Sequence, residues 1–163
     1  MKTKASTKKM VLYYAQKYAI PYELLMGTYT LETTYRKWYH RFAENSLVVF
    51  SAFLNFLFRK RIRNFTIGKC QVGLATILSH CGIPRYRHCA VIDKLTFKEL
   101  GLLIRAMKMQ GSLDCCAWAL SGFYQDEMTF TNSIHSAIVS IGERYNGTYT
   151  YGVLLDIQFS SML

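Results

Sequence analysis

The sequence predicts an all-α protein, a single compact domain of about seven to eight helices. Apolar residues recur at helical spacing between clear start and stop signals. No run alternates apolar and polar residues as a half-buried strand does, and no Asn-Gly turn joins two strand-like flanks. At 163 residues, 51% of them hydrophobic, the chain can bury one sizeable core but hardly two.

The first helix is expected from about Ser6 to Tyr18, and Pro21 suits the first turn of a second helix carrying Leu24, Leu25 and Leu31. A third is expected from Asn45 to about Lys60, with Leu47, Phe50, Leu54 and Leu57 packed on the domain at helical spacing. Gly68 to Ser79 reads as a fourth, ended by Gly82 and Pro84. Thr96 and Glu99 have capping-box spacing, Gly111 is expected to stop the helix they open, and Ser112 to cap the next. That helix shows Leu113, Cys116, Ala117 and Leu120 on one face. Asn132 or Ser133 opens another, ended by Tyr145, Asn146 and Gly147, and a last helix runs from about Tyr149 to Met162.

The formal charge of +10, from 20 Lys and Arg against 10 Asp and Glu, calls for a polyanionic partner. Nucleic acid, anionic lipid and acidic wall polymers all satisfy it, so charge by itself does not choose among them. Five cysteines form no CxxC pair, and no histidine stands at zinc-finger spacing, so no metal site is expected. A Cys70–Cys81 or Cys81–Cys89 disulfide stays open. His40, His80, His88 and His135 share no helical face and read as surface or hydrogen-bonded residues. No Gly-rich phosphate loop is present, and no cofactor is expected. Met10 to Ile20 is interrupted by Gln16 and Lys17, unlike the apolar core of a signal peptide. The run Leu47 to Phe58 is too short for the roughly 20 residues of a spanning helix.

Three segments carry chemistry through their order. Ile20-Pro21-Tyr22-Glu23-Leu24-Leu25-Met26-Gly27 runs into Leu31-Glu32-Thr33; Thr66-Ile67-Gly68-Lys69-Cys70-Gln71-Val72 is followed by Ala75-Thr76; Arg144-Tyr145-Asn146-Gly147 precedes Tyr149 and Tyr151. Together they resemble the lytic transglycosylase and goose-type lysozyme superfamily: a first catalytic helix ending in Glu-Ser or Glu-Thr, a Gly-x-x-Gln motif and a Tyr-Asn segment, in that order. The resemblance spans roughly residues 20 to 155. It implies a lysozyme-like domain over 20–163, after a basic segment and first helix over 1–19, with an inserted segment at about 37–63.

The resemblance also implies peptidoglycan glycan strands as substrate, and a place of work outside the cytoplasm, in the cell wall, the periplasm or the medium. Glu32 would be the catalytic acid. Breaking a glycosidic bond needs a proton on the leaving oxygen, and the helix end and an apolar cleft would keep a Glu protonated. Tyr29 and Tyr35 would supply the cleft wall, with Arg36 turned away from the acid. Gly68 and Gln71 would line the sugar cleft, Tyr145 would hydrogen-bond at the Glu32 site, Asn146 would hold the intermediate or the helix end, and Tyr149 would lie beside them.

A two-carboxylate hydrolase needs a second acid within about 10 Å of the first. Glu44 alone lies between Glu32 and Gln71. Followed by Asn45-Ser46 at an expected helix start, it needs no catalytic role there. The expected product is therefore a 1,6-anhydro sugar, formed with Glu32 acting twice.

The interval from Glu32 to Gly68 departs from the family. It is long and holds Trp38, Tyr39, His40, Arg41 and Phe42, then Leu47 to Phe58, and Asn64-Phe65-Thr66 replaces small residues. Three rivals stay open: a hydrolytic goose-type lysozyme; a nucleic-acid-binding helical module, disfavoured because the basic residues are spread along the chain; and a membrane-surface protein using 47–63. Anionic cell-wall polymers are a further expected partner.

Overall fold

A computed structural model describes residues 4–35, 38–58 and 66–163, without the side chains of Tyr35, Trp38, Arg41, Ala90 and Ile92. Among the described residues the chain is all-α as predicted: α1 Ala5–Lys17, α2 Tyr22–Tyr35, α3 Trp38–Phe58, a hairpin of β1 Thr66–Ile67 and β2 Val72–Gly73, then α4 Leu74–His80, α5 Arg85–Asp93, α6 Phe97–Met107, α7 Met109–Phe130, α8 Ile134–Asn146 and α9 Tyr149–Ser160. The residues fall into two compact units, one formed by 1–34 with 116–163 and one by 35–115.

In the first unit α8 and α9 make an antiparallel-type pair joined by Gly147 and Thr148 alone. Gly147 takes the left-handed conformation, φ +85°, that ends a helix, and the Thr148 hydroxyl accepts from the Tyr151 amide to start the next. Ala137, Ile138 and Ile141 of α8 and Leu155 and Phe159 of α9 are buried at helical spacing. At the crossing Gly142 meets Gly152: a Cβ built on Gly142 would lie 2.6 Å from the Gly152 Cα, and one on Gly152 would enter the Val139 carbonyl. The expected face of α7 is buried as well, at Cys116, Ala117 and Leu120 in this unit and at Leu113 in the other.

The second unit corrects several expectations. Residues 68–73 are not the start of a helix. Thr66 pairs with Gly73 and Ile67 with Val72 in an antiparallel hairpin, and α4 begins only at Leu74. Two-residue strands leave no alternating pattern to read. The helix α5 was not anticipated; its residues show almost no segregation of apolar from polar. The capping box is present: the Glu99 amide donates to the Thr96 hydroxyl at 3.3 Å, and the Thr96 amide to the Glu99 carboxylate at 2.7 Å. Gly111 does not stop α6, and Ser112 does not cap α7. The chain turns at Lys108, Gly111 lies in the first turn of α7 against the Arg105 carbonyl, and the buried Ser112 hydroxyl accepts from the Cys70 amide at 2.8 Å.

Helix α3 begins at Trp38 rather than Asn45, and it is rotated from the expected orientation. Leu47, Phe50 and Leu57 are exposed, Phe50 by 57%; the packed stripe is Val48, Ala52 and Asn55. Asn55 explains the rotation. It is 1% exposed, donates from Nδ2 to the Asp93 carbonyl at 3.0 Å, and accepts at Oδ1 from the Leu95 amide at 2.9 Å. One amide thus satisfies two backbone groups where α5 ends, and orphaning such buried groups would cost about 1–3 kcal/mol each. We expect Asn55→Ala to lower the urea midpoint by an amount equivalent to about 1–3 kcal/mol. A change under a few tenths would mean the clamp does not hold α3.

Candidate functional site

Glu32 occupies the last turn of α2, whose interior is set by Leu24, Leu25 and Leu31, all buried. The helix ties its hydroxyls to its own backbone: Thr28 donates to the Leu24 carbonyl and Thr33 to that of Tyr29, so neither carries an unmet donor into the core. Glu32 itself is 5% exposed. Tyr29 is half-buried beside it in sequence, whereas the Tyr35 side chain, Arg36 and the expectation about its direction lie outside the described residues.

Tyr145, Asn146 and Tyr149 belong to the same unit as Glu32. Tyr145, half-buried near the end of α8, donates from its hydroxyl to the Cys116 sulfur at 3.3 Å and stacks on Tyr151 with ring centroids 6.3 Å apart. Arg144 next to it is held by Asp126 and Glu127 of α7 at 2.9 and 3.0 Å and lies over the Phe123 ring. These two hydrogen-bonded carboxylates raise the Arg144 pKa further. Asn146 is exposed, and its carbonyl oxygen accepts from the Thr148 hydroxyl at 3.2 Å, a helix-end role. Tyr149 is exposed at the start of α9.

Gly68 and Gln71 lie in the hairpin of the other unit. Gly68 has φ +81°, and a Cβ there would meet the Ala106 carbonyl oxygen at 2.6 Å and the Ser112 hydroxyl at 2.7 Å. Its smallness is required by the protein's own backbone, a reason different from the expected approach of substrate. Gln71 is not helical: φ is +52°, unusual for a residue with a side chain. Its Oε1 accepts from the Thr66 hydroxyl at 2.8 Å, and its Nε2 donates to the Gly68 carbonyl at 3.2 Å. The Gln71 amide therefore laces its own loop, and its role in shaping the hairpin is one that motif spacing did not reveal.

Glu44 also moves. With α3 starting at Trp38 it is the helix's seventh residue, half-buried and beyond the first turn, so the helix dipole does not account for it. Among the described residues no disulfide joins the cysteines, and no cluster of His, Cys, Asp and Glu could hold a metal ion. His88 bonds the Ile83 carbonyl, His80 pairs with Asp114 and His135 with Asp156, while His40 is exposed. His80, Cys81, Arg105, Lys108 and Asp114 line a cavity of about 420 Å³. Burial first, and the Asp114 charge second, raise the Cys81 thiol pKa, which disfavours the nucleophilic thiolate.

No protein-family model, no curated protein and no solved structure matches the chain.

Proposed function

We propose that the chain is a peptidoglycan-cleaving enzyme of lysozyme-like design that breaks the MurNAc–GlcNAc β-1,4 bond with Glu32 as its acid/base. The observation that carries the reading is the burial of Glu32 on the last turn of α2. A Glu near a helix end is ordinarily solvated, so its burial sets Glu32 apart from a surface charge. The order of the three motifs supports it, as does the presence of Tyr145 in the same compact unit. Glu32 protonates the glycosidic oxygen as the C1–O bond breaks. It then takes the C6 hydroxyl proton as that oxygen bonds to C1, which closes the 1,6-anhydro ring without consuming water.

A second reading is a hydrolytic lysozyme, which would use Glu44, half-buried in α3, as a second carboxylate. Digestion of purified sacculi followed by mass spectrometry separates the two. Fragments one water lighter than reducing-end products, still formed by Glu44→Gln, are expected. Reducing ends only, with Glu44→Gln inactive, would make the protein a two-carboxylate hydrolase, and no turbidity loss at all would remove the enzymatic reading. The wall's anionic polymers are the proposed electrostatic partner; nucleic acid is not favoured.

A further inference from the structure

The rotation of α3 leaves an apolar surface exposed. Phe42, Val49, Phe50, Phe53 and Leu57 project from one side of the helix, opposite the Val48–Ala52–Asn55 stripe, and all are about half exposed or more. Phe42, Val49, Phe50 and Phe53, with Asn45 and Ser46, line an open groove of about 460 Å³ along that side. Phe56 extends the apolar surface through its ring contact with the exposed Phe97 of α6, centroids 4.8 Å apart. Contiguous apolar surface of this kind marks a partner or a membrane.

Charge decides among the occupants. Residues 35–115 hold fourteen Lys and Arg against four Asp and Glu, whereas 1–34 with 116–163 hold six against six, so the whole formal excess of ten lies in the unit that bears the apolar face. Two copies meeting through α3 would bring two such units together, against like-charge repulsion. Nucleic acid needs cations spread along its track to meet successive phosphates. Residues 42–58 contain no Lys or Arg, and the cations stand at either end in the sequence: Arg36, Lys37 and Arg41 before, and Arg59, Lys60, Arg61 and Arg63 after. Lys94 and Lys98, exposed beside the Asn55 clamp and Phe97, continue the pattern among the described residues.

We infer that α3 seats the protein on an anionic lipid bilayer. Its aromatic side enters the headgroup–acyl boundary in the membrane plane, and the exposed Lys94 and Lys98 of the same unit meet lipid phosphates. Among the described residues no helix is long and apolar enough to cross a membrane, which fits a helix lying on the surface. The inference is independent of wall cleavage, since it uses neither Glu32 nor the hairpin.

Flotation of the full chain with vesicles of phosphatidylcholine alone, or equimolar with phosphatidylglycerol, tests it. Recovery with the anionic vesicles only is expected. The combined Phe42→Ser, Phe50→Ser and Phe53→Ser variant should reduce the bound fraction by about tenfold or more at unchanged helical circular dichroism. Lys94→Glu with Lys98→Glu, which touches no core residue, should weaken binding without altering the apolar face. Equal recovery on neutral vesicles, no flotation, or wild-type flotation by the triple Phe variant would overturn the inference. So would a Phe-dependent dimer or oligonucleotide complex without flotation, which would assign the face to that occupant.

Discussion

Glu32→Gln is expected to reduce glycan cleavage by at least about a hundredfold, and by up to about ten-thousandfold, while the thermal midpoint stays within a few degrees of wild type. Gln keeps the shape and hydrogen-bonding reach of the side chain but has no proton to give at any working pH. Because Glu32 is buried on the last turn of α2, an isosteric replacement leaves no cavity and takes no charge into the core. The assay is turbidity loss of purified sacculi together with release of soluble muropeptides. Retention of more than a tenth of wild-type activity would remove Glu32 from the chemistry, and collapse of the fold would show that its burial serves structure instead.

Gly152→Ala is expected to destabilise the first unit by about 3 kcal/mol, the upper end for overpacking, which lowers the thermal midpoint by about 6–12 °C. The added Cβ would enter the Val139 carbonyl, a backbone group that cannot rotate away as a side chain would, and α8 and α9 would have to part along their whole contact. Gly122→Ala provides the contrast. No atom lies within 4 Å of a Cβ there, so replacing a mid-helix glycine of α7 should stabilise by about 0.5–1 kcal/mol. Calorimetry of both variants checks the pair. Equal midpoints would mean that the α8–α9 contact is looser than the Gly142–Gly152 approach indicates.

The candidate site was legible to different depths. Glu32 stood out because a helix-end Glu-Thr preceded the other two motifs in order, and its burial gives that reading physical weight. Asn146 was readable as a helix stop from its neighbour Gly147, which does take the left-handed turn. Gln71 was readable only as a motif letter. Its loop, with φ of +52°, and its bonds to Thr66 and Gly68 depend on a hairpin too short to leave a periodic trace. The polar pair Asn45-Ser46 looks like a cap but lies inside α3, which makes Glu44 a mid-helix residue rather than one at a helix start.

From the sequence alone one reads the helical class and the helix ends whose partners are close in the chain. The Thr96–Glu99 box, the Ser133 cap and the Gly147 stop are each closed within four residues. Only the tertiary structure decided which way α3 faces. Its apolar residues occur on nearly every side, so periodicity could not choose a face; the choice was made by Asn55 reaching backbone groups at Asp93 and Leu95 that no local pattern announces. The same holds for the charge. Its total is a property of composition, but its confinement to one compact unit, beside an exposed aromatic helix, follows from which distant segments pack together.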